Sequence, residues 1–139
     1  MLKVSIAYLT DASGEKVYLQ RRSEKSELFP GGLSFFGGKL EHLEDPEEAI
    51  KRELAEETTL DVKQIGLKQV ALFVALPQVT GDKEVEVNVY SGVVPEGSGH
   101  QFMALEGAEV EVYNLESVSQ SPDLVPTTRF VLETFFNSN

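Results

Sequence analysis

The stretch DPEEAIKRELAEETTL, residues 45–60, constrains this chain more than any other. Asp45 is a good N-cap, Pro46 suits the first helical position, and Glu48 stands at the third. Asp45 with Glu48 resembles a capping box with Asp in place of Ser or Thr. The spacing predicts a helix from Pro46 to about Thr58. Ala49, Ile50 and Leu54 form its apolar stripe, so one side must meet a core. Glu53, Glu56 and Glu57 fall at i, i+3 and i+4, neighbours on a different face. One helix therefore has a structural side and an acidic side.

The segments around it read as strands. In LKVSIAY, residues 2–8, apolar and polar positions alternate as in a half-buried strand. DASGEK turns the chain and VYLQRR returns it. LSFF is a short strand leading into GGKLEHLED. VALFVAL, residues 70–76, is an apolar run suited to a buried strand, and EVEVNVYSGVV and AEVEVYNL alternate cleanly. A second helix should begin near Pro126, with Phe130, Val131 and Phe135 facing inward. Mixed strands with one central and one terminal helix argue for an α/β or α+β sandwich. No repeat or linker divides the 139 residues, which are expected to form one domain.

Composition narrows the function. The formal charge is -11, so a nucleic acid or an anionic membrane would be repelled by most of this surface. A small anionic substrate is still possible, because a bound divalent cation can reverse the local field. There are no cysteines, which removes disulfides, thiolate metal sites and a Cys nucleophile. The N-terminus reads as a strand, not a signal peptide, and no apolar run reaches the ~18 residues of a membrane span. The expected location is cytoplasmic.

The acidic face has two readings. As a solvated surface, each exposed like-charge pair costs only ~0.2–0.5 kcal/mol. If partly buried, carboxylates ~5.5 Å apart at an effective dielectric of ~20 repel by roughly 3 kcal/mol and need a cation or a proton. Clustered oxygen ligands without cysteine point to a hard ion, Mg²⁺ or Mn²⁺.

The residues around the cluster carry a longer pattern. Gly38 is followed after five residues by Glu44. Seven more lead to Arg52, Glu53, Leu54, then Glu56, Glu57, Thr59 and Leu60. This closely resembles the Nudix box, G-x5-E-x7-R-E-U-x-E-E-x-G-U, with Thr59 in place of its last glycine. Phe36 stands where many members have proline. The resemblance implies an α/β/α sandwich around a mixed sheet, and a loop-helix-loop that binds divalent metal and cleaves a pyrophosphate linkage. It implies metal-binding and catalytic roles for Glu53, Glu56 and Glu57, with the Gly37 carbonyl as a further ligand. Gly38, Glu44 and Leu54 match positions that are mainly structural, and Arg52 can hold a catalytic carboxylate or nearby carbonyls. Glu41 is either an outer metal ligand or a solvated loop residue.

Other roles follow from the same resemblance. Arg22 resembles a strand-end basic residue that contacts substrate phosphates, and Lys39 could touch phosphate as well. Glu106 resembles a later acidic position that serves some members as general base. Tyr8, Phe36, Phe73, Tyr90 and Phe102 are candidates to stack a base, though most should be core. His42 and His100 receive no role. The implied activity is metal-dependent hydrolysis of a nucleoside diphosphate linked to another moiety, foremost a nucleoside triphosphate giving the monophosphate and pyrophosphate. ADP-ribose or a nucleotide sugar is the alternative substrate, and a nucleotide sensor without turnover is the rival from another class. Either a monomer or a homodimer would serve. At Thr59 a β-branched residue resists the left-handed backbone a glycine would adopt, so a different helix end is expected.

Overall fold

In the computed structural model, residues 1–27, 29–76, 83–97, 104–105 and 108–136 are described. One mixed sheet of seven strands comprises β1 (Leu2–Thr10), β2 (Lys16–Arg21), β3 (Leu33–Ser34), β4 (Phe36–Lys39), β5 (Lys68–Ala75), β6 (Val85–Val93) and β7 (Glu109–Asn114). The strand order is β3-β2-β1-β6-β5, with β4 also paired to β1 and β7 to β2. The β1–β6 ladder is parallel and the other pairs are antiparallel. Helix α1 (Pro46–Glu57) covers one face. Helix α2 (Pro126–Val131), continued by a wider helical turn over Leu132–Phe136, covers the other. This is the α/β/α sandwich the box implied.

β1 shows why. Its two-residue period sends Tyr8 to a core with Val87, Val89, Val131 and Leu132, and Ala7 and Leu9 to a core with Ile50 and Leu54. The strand is therefore buried on both faces from Ala7 to Thr10, where alternation alone predicted one solvated face. Helices on both sides of a sheet remove the polar face that simple alternation assumes. The LSFF segment divides at Phe35 into two strands that pair with different neighbours, β2 and β1. Arg21 pins β2 to β7 through a two-pronged contact with Glu111, 2.8 Å on each prong, and also reaches the Gly31 carbonyl and Asp123.

Two packing expectations are corrected. VALFVAL becomes the edge strand β5, with Val70, Leu72 and Val74 45–60% exposed, so it is not the buried strand its apolar run predicted. On α2 and the turn after it, Val131 is fully buried, but Phe130 and Phe135 remain 36% and 42% exposed around Phe73. An apolar run reports what a strand is able to bury, and its place in the strand order decides what it does bury.

The start of α1 follows the sequence. The Glu48 N–H donates to Asp45 Oδ1 at 2.8 Å, and the Asp45 N–H donates to Glu48 Oε1 at 3.1 Å, closing the capping box. The end follows a different residue from the one the box pattern singled out. The helix stops at Glu57, and Thr58 caps it in an extended conformation. The Thr58 hydroxyl donates to the Leu54 carbonyl at 2.7 Å and accepts from the Leu60 N–H at 3.2 Å. Phe29 and Leu43 are the non-glycine residues with positive φ among those described, so Thr59 needs no glycine backbone. Replacing Thr59 with glycine should therefore lower stability by about 0.5–1 kcal/mol, through added freedom of the unfolded chain. Urea unfolding of the two proteins checks this.

Candidate active site

Burying Ile50 and Leu54 turns the acidic side of α1 toward β4. There the helix meets two glycines, and each is required by close approach. A Cβ on Gly38 would lie 2.4 Å from Glu53 Oε1, so this carboxylate lies directly over backbone. Gly37 has φ of +148°, and a Cβ on it would lie 2.1 Å from the Ser5 carbonyl oxygen. Its N–H donates to Glu57 Oε1 at 3.0 Å. The glycine pair and the acidic helix face thus form one contact surface.

Arg52 organises the carboxylates. Its Nε and Nη2 grip Glu44 at 2.8 and 3.0 Å, and Nη2 also donates to the Lys39 carbonyl at 3.0 Å. Nη1 donates to Glu53 at 3.1 Å and to Glu56 at 3.2 Å. Glu41 joins as an ion-pair partner at 3.0 Å from Nε. One guanidinium therefore ties the loop before α1 to the helix. The Glu44 and Glu53 side chains are 13% and 15% exposed, while Glu56 is 51% exposed.

The protonation equilibria follow from this arrangement. Burial pushes the Glu53 carboxyl above the ordinary value of 4.5, the Arg52 guanidinium opposes it, and the Glu56 and Glu44 charges add to it. The hydrogen bond from Arg52 holds Glu44 below that value. The hydrogen bond from Arg21 does the same for Glu111. Unfolded glutamates bind protons first as pH falls below 4.5, so the stability from Glu44 and Glu111 is full above that value and is lost as pH falls through their depressed folded values. Glu53 acts in the opposite sense, since its ionisation is easier in the unfolded chain. The urea midpoint should fall from about pH 5 to about pH 3, and fall less steeply in Arg52→Ala, where Glu44 has lost its partner.

Beside Glu57 lies a hollow of about 180 Å³ lined by Gln20, Arg22, Ser26, Gly37 and Leu105, among others. Burial lowers the affinity of Arg22 for its proton, and the Glu57 charge opposes that shift. The structure thus places Arg22 with Gly37 and Glu57. The Lys39 side chain is exposed and does not line this hollow. Glu106, His100 and Phe102 lie outside the described residues. Phe36, Tyr8 and Tyr90 are buried in the two cores, Phe73 is half-buried against Phe130, and His42 is exposed.

Sequence reasoning overlooked Gln20 and Ser26. Gln20 is buried, donates from Nε2 to the Phe35 carbonyl at 3.1 Å, and lines the hollow beside Arg22. A signal was present, since a strand running through VYLQRR must put positions 20 and 22 on the same face. Ser26 sits in a loop whose path the sequence does not reveal.

Among the described residues, no group of three or more acidic or histidine side chains stands converged for one ion. Arg52 bridges Glu53 and Glu56 instead. The donor chemistry nonetheless fits a hard divalent ion. Three carboxylates occupy one helix face, one of them desolvated over Gly38, and the opposing backbone carries no side chains.

The family model of the NUDIX domain matches residues 1–135. The chain is similar to the MutT protein of Methanosarcina mazei Go1, at 25% identity and TM-score 0.71, over 95% of this chain and 90% of that one. It is similar to the dihydroneopterin triphosphate pyrophosphohydrolase of E. coli, at 17% identity and TM-score 0.73, over 96% and 93% of the two chains. It is also similar to the NUDIX domain of Shewanella oneidensis NrtR complexed with ADP ribose, at 22% identity and TM-score 0.75, over 96% and 84%. The last two similarities are similarities of fold alone.

Proposed function

The chain belongs to the Nudix hydrolase family, and on that premise we propose that it hydrolyses a nucleoside diphosphate linked to another moiety, foremost a nucleoside triphosphate to the monophosphate and pyrophosphate. The observation that carries this reading is the seating of the acidic face of α1 on the glycine pair, with Glu53 over Gly38 and Glu57 on the Gly37 N–H. Members of the family generally use divalent metals, and Mg²⁺ or Mn²⁺ suits these oxygens. Glu53, Glu56, Glu57 and the Gly37 carbonyl would hold the ion. When bound, it supplies charge neutralisation on the diphosphate and lowers the pKa of a water.

The residues of the chain divide the remaining work. Arg52 holds Glu44 and contacts Glu53, tying the acidic face to the loop before α1. Arg22, half-buried beside Glu57, meets the diphosphate charge. The neutral Gln20 and Ser26 line the same hollow and offer hydrogen bonds without added charge. Water attacks one phosphorus, and the bond from that phosphorus to the bridging oxygen breaks. A glutamate of the cluster or Glu106 takes the water's proton.

Pyrophosphate and phosphate release over nucleoside triphosphates, ADP-ribose and nucleotide sugars, with Mg²⁺, Mn²⁺ or chelator, tests the proposal. Metal-dependent turnover of one class supports it and identifies the leaving group. Release of nothing by folded protein that still binds nucleotide would replace it with the sensor reading.

A further inference from the structure

We propose that β5 is the contact strand of a homodimer, pairing antiparallel with β5 of a second copy. The sequence of β5 reads as a strand buried on both faces, yet β5 closes the strand order at one edge, and among the described residues no strand pairs with its outer side. Apolar side chains are exposed on both faces of this edge. Leu72 and Val74 are 60% and 47% exposed on the α1 side, and Phe130 and Phe135 are 36% and 42% exposed on the other, clustered against Phe73. Edge strands of monomers are usually guarded by charge, proline or a bulge. Here the segment QVALFVAL, residues 69–76, carries no charge in a chain of net charge -11. The one register shift lies between Gln69 and Ala71, leaving Ala71–Ala75 regular.

A second copy suits this edge better than another occupant. A strand pairing antiparallel with itself is related by a two-fold axis, so the same side chains serve both halves of the contact. Leu72, Val74, Phe130 and Phe135 are 36–60% exposed, so two such edges brought together would take apolar side chains of both copies out of water. Beyond Lys68 at its start, β5 offers an acidic or basic partner no charge to pair with. The two anionic bodies repel at a distance, so salt should strengthen the association.

Sedimentation equilibrium on the full chain tests this. The wild type should run at twice the chain mass of 15.3 kDa, more completely at high salt. The exposed pair Leu72→Lys/Val74→Lys should run at 15.3 kDa with unchanged kcat. Because the chain has no cysteine, single cysteines at each of residues 70–75 report the geometry. The one on the axis, opposite its own copy, should form an interchain disulfide, and Val112→Cys, on β7, should not. A wild-type monomer, a dimer indifferent to the lysine pair, or no crosslink at any position from 70 to 75 would overturn the proposal.

Discussion

Replacing Glu56 with glutamine is expected to lower kcat by about 10²–10³-fold, the loss typical of one electrostatic contact at a reacting centre. Stability should barely change. The Glu56 side chain is half exposed and, among the described residues, pairs with Arg52, which keeps Glu44, Glu53 and the Lys39 carbonyl without it. Exposed substitutions of this kind stay within about 0.5 kcal/mol. Glutamine keeps the size and one acceptor oxygen, and loses the charge that a hard cation requires. Turnover at saturating substrate, measured beside a thermal melt, separates the chemistry from the fold. If the acidic face were only solvated surface, activity and melt would both be untouched.

Arg52→Ala should be the most destabilising substitution at the site. Glu44, Glu53 and Arg52 are partly buried together. Removing the guanidinium leaves the two carboxylates side by side without a counter-charge, so Tm should fall by several degrees. Activity should fall with it, since Glu53 loses this donor. Arg52→Lys should recover little of either. The ammonium has no planar fork, and the two prongs on Glu44 need one. Calorimetry on the two variants at neutral pH checks the order: wild type, then lysine, then alanine.

The helix and the placement of its carboxylates were legible because their determinants are local. A cap, a proline, an apolar stripe and three carboxylates at helical spacing all lie within the thirteen residues Asp45–Glu57. Features that depend on distant partners were less legible. VALFVAL announced a strand, but its place at the sheet edge depends on β6 lying between it and β1. The place of Phe130 and Phe135 depends on the same edge, since Phe73 offers them a partner without a lid. At the end of α1 the box pattern drew attention to Thr59, while the neighbouring Thr58 does the capping. Gln20 lay one alternation away from Arg22 and was overlooked because a neutral amide does not stand out beside two arginines.

The central claim is that the acidic face of α1 and the glycine pair of β4 form one divalent-metal site. Substoichiometric Mn²⁺ added to ¹⁵N-labelled protein tests it most directly, because a bound paramagnetic ion broadens the amides nearest to it. The account predicts that Gly37, Gly38 and residues 53–57 broaden first, and that Glu56→Gln weakens the effect. Broadening spread evenly over the acidic surface, with Gly37 and Gly38 still sharp, would contradict it.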